Sequence, residues 1–139
     1  MCGIPGSGKT TLSEQLAKED NAILYCYDKI PNFYRNYACH QAMFRRINRD
    51  LNLDKNVVCD DSHITKEMRM NLLKAISHFE CKKILHVMKT PVEVCLQQAA
   101  ERQTGKVPAH IVNECYNRYE EPTLEEGWDE IIYHEYVKE

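Results

Sequence analysis

Residues 3–10 read Gly-Ile-Pro-Gly-Ser-Gly-Lys-Thr and fill every position of the phosphate-loop pattern GxxxxGK[ST]. That pattern constrains the fold more than any other stretch of the chain. It needs a strand to deliver it, a turn whose amides face inward, and a helix to carry the chain away. Glycines permit the left-handed backbone that aims successive N–H groups at an anion. The helix after the loop adds the positive end of its dipole. Gly3, Pro5, Gly6, Ser7, Gly8, Lys9, Thr10 and Thr11 are therefore the expected nucleotide-binding residues. Lys9 is expected on the β- and γ-phosphates and Thr10 on Mg²⁺, with ATP as the ligand. Leu12 and Leu16, four apart among helix formers, predict a helix to about Lys18.

Alternating apolar runs and helical patterns follow, which predicts a mainly parallel sheet covered by helices on both faces, an α/β/α arrangement of three layers. Strands are expected at 22–27, 56–60, 83–88 and 130–137. Between them, one helix carries Cys39, Met43, Ile47 and Leu51 inward, and another Met68, Leu72, Ile76 and Phe79. Thr90-Pro91-Val92-Glu93 reads as a capping box opening a helix with Val92, Cys95, Leu96 and Ala99 inward. Pro108 begins a last helix with Ile111, Cys115 and Tyr119 inward. Only Met1 and Cys2 precede the loop, so the strand feeding it is expected to be largely missing; Met1 reads as an internal methionine of a longer chain.

The 139 residues suit one domain, 1–139, with a lid region at about 96–110. No signal peptide or membrane-length apolar run is visible, so a cytoplasmic protein is expected. The seven cysteines are odd in number and scattered without metal-ligand spacing, and read as reduced structural thiols. A net charge of −3 argues against broad nucleic-acid affinity. The distribution is uneven, however. No acid occurs from Lys29 to Arg49, whereas nine occur from Glu114 to Glu139. A basic segment beside the loop suits a phosphate-bearing substrate, and a solvated helix face is the plainer alternative.

Phosphoryl transfer to a hydroxyl needs a group on the acceptor, a carboxylate near the metal and a cation over the phosphates. Asp28, at the end of the first visible strand, is the candidate base; a turn cap is its structural alternative. Asp60 and Asp61, ending the next strand, are candidates for the Mg²⁺ shell, and one of them for a helix cap. Arg102, before a polar stretch, is the candidate lid cation. Phe33, Tyr34 and Tyr37 stack a base or pack a loop, and Trp128 reads as a core anchor.

The GIPGSGKTT loop, the strand ending in Asp28, the VVCDDSH strand end, CLQQAAERQTGKVP and the closing YEEPTLEEGWDEI together resemble P-loop kinases of the polynucleotide kinase type, an AAA-type, zeta-toxin-related group. The resemblance implies that Asp28 activates a substrate 5′-hydroxyl and that Arg102 grips ATP phosphates. It departs where family members carry an arginine three residues after the catalytic aspartate: Pro31 stands there, leaving Lys29 or Arg35 to bind substrate. Gln98-Ala99 replaces a common Arg-Asn. Asp61-Ser62-His63 departs from the usual strand-end pattern, with His63 a substrate contact or a structural histidine. Arg69 matches a basic position that faces the acceptor. Tyr27-Asp28-Lys29-Ile30-Pro31 and the doubled aspartate also resemble the seryl-tRNA kinase type. The expected activity is transfer of the ATP γ-phosphate to a hydroxyl, foremost a 5′-hydroxyl of a nucleotide or polynucleotide. A small-metabolite or nucleoside kinase and a non-catalytic ATP binder are the alternatives.

Overall fold

The computed structural model describes residues 1–26, 37–102 and 106–137, without the Tyr37 side chain. Two pairs of parallel strands organise it. β1 (Ile23–Cys26) pairs with β2 (Val57–Asp60), and β3 (Ile84–Lys89) with β4 (Glu130–Glu135). Their residues are mostly apolar in continuous runs, as strands covered by helices require. The four expected strands are present; β2 and β4 are shorter than expected by one and two residues, β1 begins one residue later, and β3 is shifted by one to end at Lys89.

Met1 and Cys2 lie between the two pairs. The Cys2 N–H donates to His86 O at 2.8 Å, and the Met88 N–H donates to Cys2 O at 2.9 Å. On the other side the Gly3 N–H donates to Ser62 O at 2.9 Å, and the Met1 ammonium to Cys59 O at 3.2 Å. The expected loss of the first strand is thus met by a one-residue bridge, Cys2 to Val87. The order across the molecule is β1, β2, Cys2, β3, β4. A cavity of about 760 Å³ lies near the amino ends of β2 and β3. Leu16, Leu51, Val57, Ile76, Ile84 and Trp128 line it.

α1 (Lys9–Glu19) packs on β1 and β2, and α2 (Tyr37–Asn52) packs on β2 and on α3 (Lys66–Ala75). One core gathers Cys2, Ile47, Leu72, Leu85, Val87 and Trp128, so the tryptophan is the anchor expected of it. A second joins Ile4 of the loop to Ile64 and to Cys95, Ala99 and Val112 of α4 (Val92–Glu101) and α5 (Ala109–Arg118).

Four local expectations need correction. Pro91 occupies the N-cap of α4 and Thr90 makes no cap; its hydroxyl donates instead to Ser7 O at 2.8 Å, tying the strand end to the loop. Neither Asp60 nor Asp61 caps α3, because Thr65 takes that place and accepts from the Met68 N–H at 3.2 Å. α3 stops at Ala75, so Ile76 and Phe79 reach the core from beyond its end. In α5 the fully buried position is Val112, one residue after Ile111. All seven cysteines are free thiols. No helix among the described residues is long and apolar enough to cross a membrane.

Candidate active site

Gly6 (φ 84°) and Gly8 (φ 93°) give the loop its left-handed turns. At Gly6 a Cβ would also stand 2.2 Å from the Cys95 carbonyl oxygen, so the loop lies directly against the α4 backbone. Lys9 opens α1 and is only 4% exposed. No carboxylate among the described residues pairs with its ammonium, although a buried charge normally has a partner. The two fully buried positions of α1 are Lys9 and Ser13; Leu12 and Leu16 are half-buried. The helix therefore turns a polar stripe inward. Thr11, next to the functional Thr10, is exposed.

The polar stripe meets Asp60. The Thr10 hydroxyl donates to Asp60 Oδ2 at 3.0 Å, the Ser13 hydroxyl at 3.1 Å and the Cys26 thiol at 3.3 Å. Asp60 Oδ1 and Ser7 Oγ are buried with no hydrogen-bond partner among the described residues. An orphaned carboxylate oxygen beside a threonine hydroxyl fits Mg²⁺, a hard cation that takes one or two carboxylates and fills its shell with phosphate and water. No group of three or more His, Cys, Asp or Glu among the described residues is placed to hold a metal, and such an ion does not need one.

Asp61 takes a different course. Its Oδ2 pairs with His40 Nε2 at 3.2 Å, and its Oδ1 accepts the Ser62 N–H at 2.7 Å. Burial would raise its pKa, but these bonds and the nearby His63 outweigh burial and bring it to about 2. The expected pair of metal aspartates is thereby divided: Asp60 faces the loop, and Asp61 ties α2 to the strand end. Sequence reading did not single out His40 or Ser13. Ser13, one helical turn after Thr10, could have been found from spacing alone.

Beside these residues a cavity of about 500 Å³ opens between α2, α3 and the ends of β1 and β2. Asp60, Asp61 and His63 line it. His63 is buried and held at φ 45°, and its Nδ1–H donates to Met1 O at 2.9 Å. Burial, reinforced by the Met1 ammonium, presses its pKa down to about 4, so it is a neutral imidazole at pH 7.

Arg69 does not face this cavity, contrary to expectation. It is fully buried, holds Glu126 through Nε–Oε1 at 2.8 Å and Nη2–Oε2 at 3.0 Å, and donates to His63 O at 3.0 Å. Trp128 Nε1–H completes the pair by donating to Glu126 Oε1 at 3.1 Å. With three of its five N–H groups engaged and the whole side chain buried, this guanidinium is not open to a substrate in the cavity. Arg102 is the C-cap of α4, half-buried and outside the cavity lining. Asp28, Lys29 and Arg35, with Phe33, Tyr34 and the Tyr37 side chain, lie outside the described residues.

With the loop, its aspartate and the neighbouring cavity in place, comparison with known proteins assigns the lineage. The AAA domain family matches residues 1–122. This chain belongs to that family. Two solved structures share its fold at a TM-score of 0.68. A gluconokinase from Sinorhizobium meliloti 1021 is 16% identical, the match covering 99% of this chain and 81% of that one. A fungal RNA kinase is 15% identical, the match covering 99% of this chain and 74% of that one. The fold is that of the P-loop kinases, helices around parallel strands, and the chain is a P-loop protein of the AAA domain family.

Proposed function

We propose that this chain transfers the γ-phosphate of ATP to a hydroxyl, with the 5′-hydroxyl of a nucleotide or polynucleotide as acceptor. The observation that carries this reading is Lys9, a buried side chain with no carboxylate partner among the described residues, in the phosphate loop and one residue from the Thr10–Asp60 contact. A triphosphate supplies the missing anion. Lys9 and the amides of Gly6 to Thr10 hold its β- and γ-phosphates, and Thr10 and Asp60 would hold Mg²⁺, which neutralises charge on the transferring phosphoryl group. Asp28 accepts the acceptor's proton, Lys29 and Arg35 bind its phosphate, and Arg102 closes over ATP. The acceptor enters through the cavity next to Asp60. The likeness to a gluconokinase favours a small polyol acceptor as a second reading.

Transfer of labelled γ-phosphate to a 5′-hydroxyl oligonucleotide, to nucleosides and to gluconate tests both readings. Lys9→Ala is expected to weaken ATP binding at least tenfold; Asp28→Asn is expected to abolish transfer while sparing binding. Transfer at the wild-type rate by Asp28→Asn removes the aspartate from its role. Polynucleotide transfer weakens steeply with salt, and small-metabolite transfer hardly responds.

A further inference from the structure

The cavity beside Asp60 has a wall whose chemistry selects among hydroxyl compounds. We infer that it holds the terminal nucleobase of the acceptor, an uncharged planar heteroaromatic, while the attached sugar directs its hydroxyl to Asp60 and the loop. The inference rests on the kinase reading above and names what that site recognises.

Size comes first. About 500 Å³ lies within the range of small-molecule sites and exceeds what a short polyol fills. Met43, Phe44 and Met68 form much of the wall, and the Phe44 ring lies 6.2 Å from the His40 ring at a 42° tilt. Thioethers and an aromatic ring suit a flat π-surface. A sugar acid gains less from these three side chains, because its hydroxyls find no partner on them.

Eight of the fifteen described lining residues carry polar side chains, so the edge of a flat ligand finds partners there. The Gln41 and Asn71 side-chain amides line the cavity, and each offers both a donor and an acceptor, as the edge of a base requires. Charge points the same way. Lys74 is the single lysine or arginine among the described lining residues, and it is exposed, whereas Asp60 and Asp61 both line the cavity. A carboxylate or phosphate carried into the cavity would meet those aspartates, and a neutral base would not.

The test is binding to the protein loaded with Mg²⁺ and a non-hydrolysable ATP analogue, measured by calorimetry. The ligands are a 5′-hydroxyl oligonucleotide, the same oligonucleotide lacking its 5′-terminal base, and gluconate. Removing the base is expected to weaken binding about tenfold, the order of one base–aromatic stack. Phe44→Leu and Asn71→Ala should shrink that difference to about threefold or less without changing affinity for the ATP analogue. Because Phe44 also packs on the core, the exposed Asn71 provides the variant that does not disturb folding. Equal affinity for the two oligonucleotides, no binding of either, or tighter binding of gluconate overturns the inference. An intact base effect with no phosphate transferred to any hydroxyl overturns the kinase reading and leaves the base site standing.

Discussion

His63 combines a left-handed backbone, full burial and a neutral ring, and each has a consequence for acid stability. In the unfolded chain its imidazole takes a proton near 6.5; in the folded protein it does so only near 4. Between those values the unfolded state binds more protons, so stability falls as pH falls, and no further loss from this residue occurs below pH 4. The loss is on the order of 2–3 kcal/mol. His86, pressed to about 4 by burial and by His134, adds loss in the same window. Asp61, at about 2 against an ordinary 3.8, adds more only below pH 3.8. Urea midpoints at pH 7, 5.5 and 4.5 are expected to fall in that order. His63→Asn should flatten part of the slope at little expense at pH 7, since asparagine tolerates a left-handed backbone and keeps a donor for Met1 O.

At the scale of elements, the Arg69–Glu126 pair joins α3 to the 3₁₀ turn at Leu124–Glu126 and, through His63 O, to the loop after β2. Arg69→Met strands a buried carboxylate and is expected to cost about 3–5 kcal/mol in urea unfolding. Adding Glu126→Gln should restore a large part of it. An undiminished loss in the double variant would mean that the charge pair is not what the single change disturbs. This pair also marks where sequence reading stops. The two residues are 57 positions apart, and nothing in the local pattern of either reports the other. The strands were legible because covered parallel strands are continuous apolar runs, and the loop because its glycines obey a fixed spacing. The division of Asp60 from Asp61 was not legible: neighbouring residues at a strand end leave on opposite faces, and only the packed helices determine which face is which. Thr90 misled for a related reason. Its spacing to Glu93 is that of a capping box, but the phosphate loop passes close enough to claim the hydroxyl.

Across the whole molecule, Met1, Cys2 and Gly3 run between the two strand pairs, with Cys2 bridged to Val87 of β3 and Met1 bonded to Cys59 of β2. The phosphate loop leaves from that junction, touching β2 through Gly3 N–H to Ser62 O and the end of β3 through Thr90. A triphosphate seated there ties both pairs together. Amide exchange is therefore expected to slow by at least tenfold on binding ATP at Cys2, Cys59 and Met88, and much less at the outer strand ends. Uniform slowing across all four strands would show that the pairs already open as one unit. The loop's hydrogen bonds reach towards both strand pairs, so the nucleotide it holds acts as a keystone set between them.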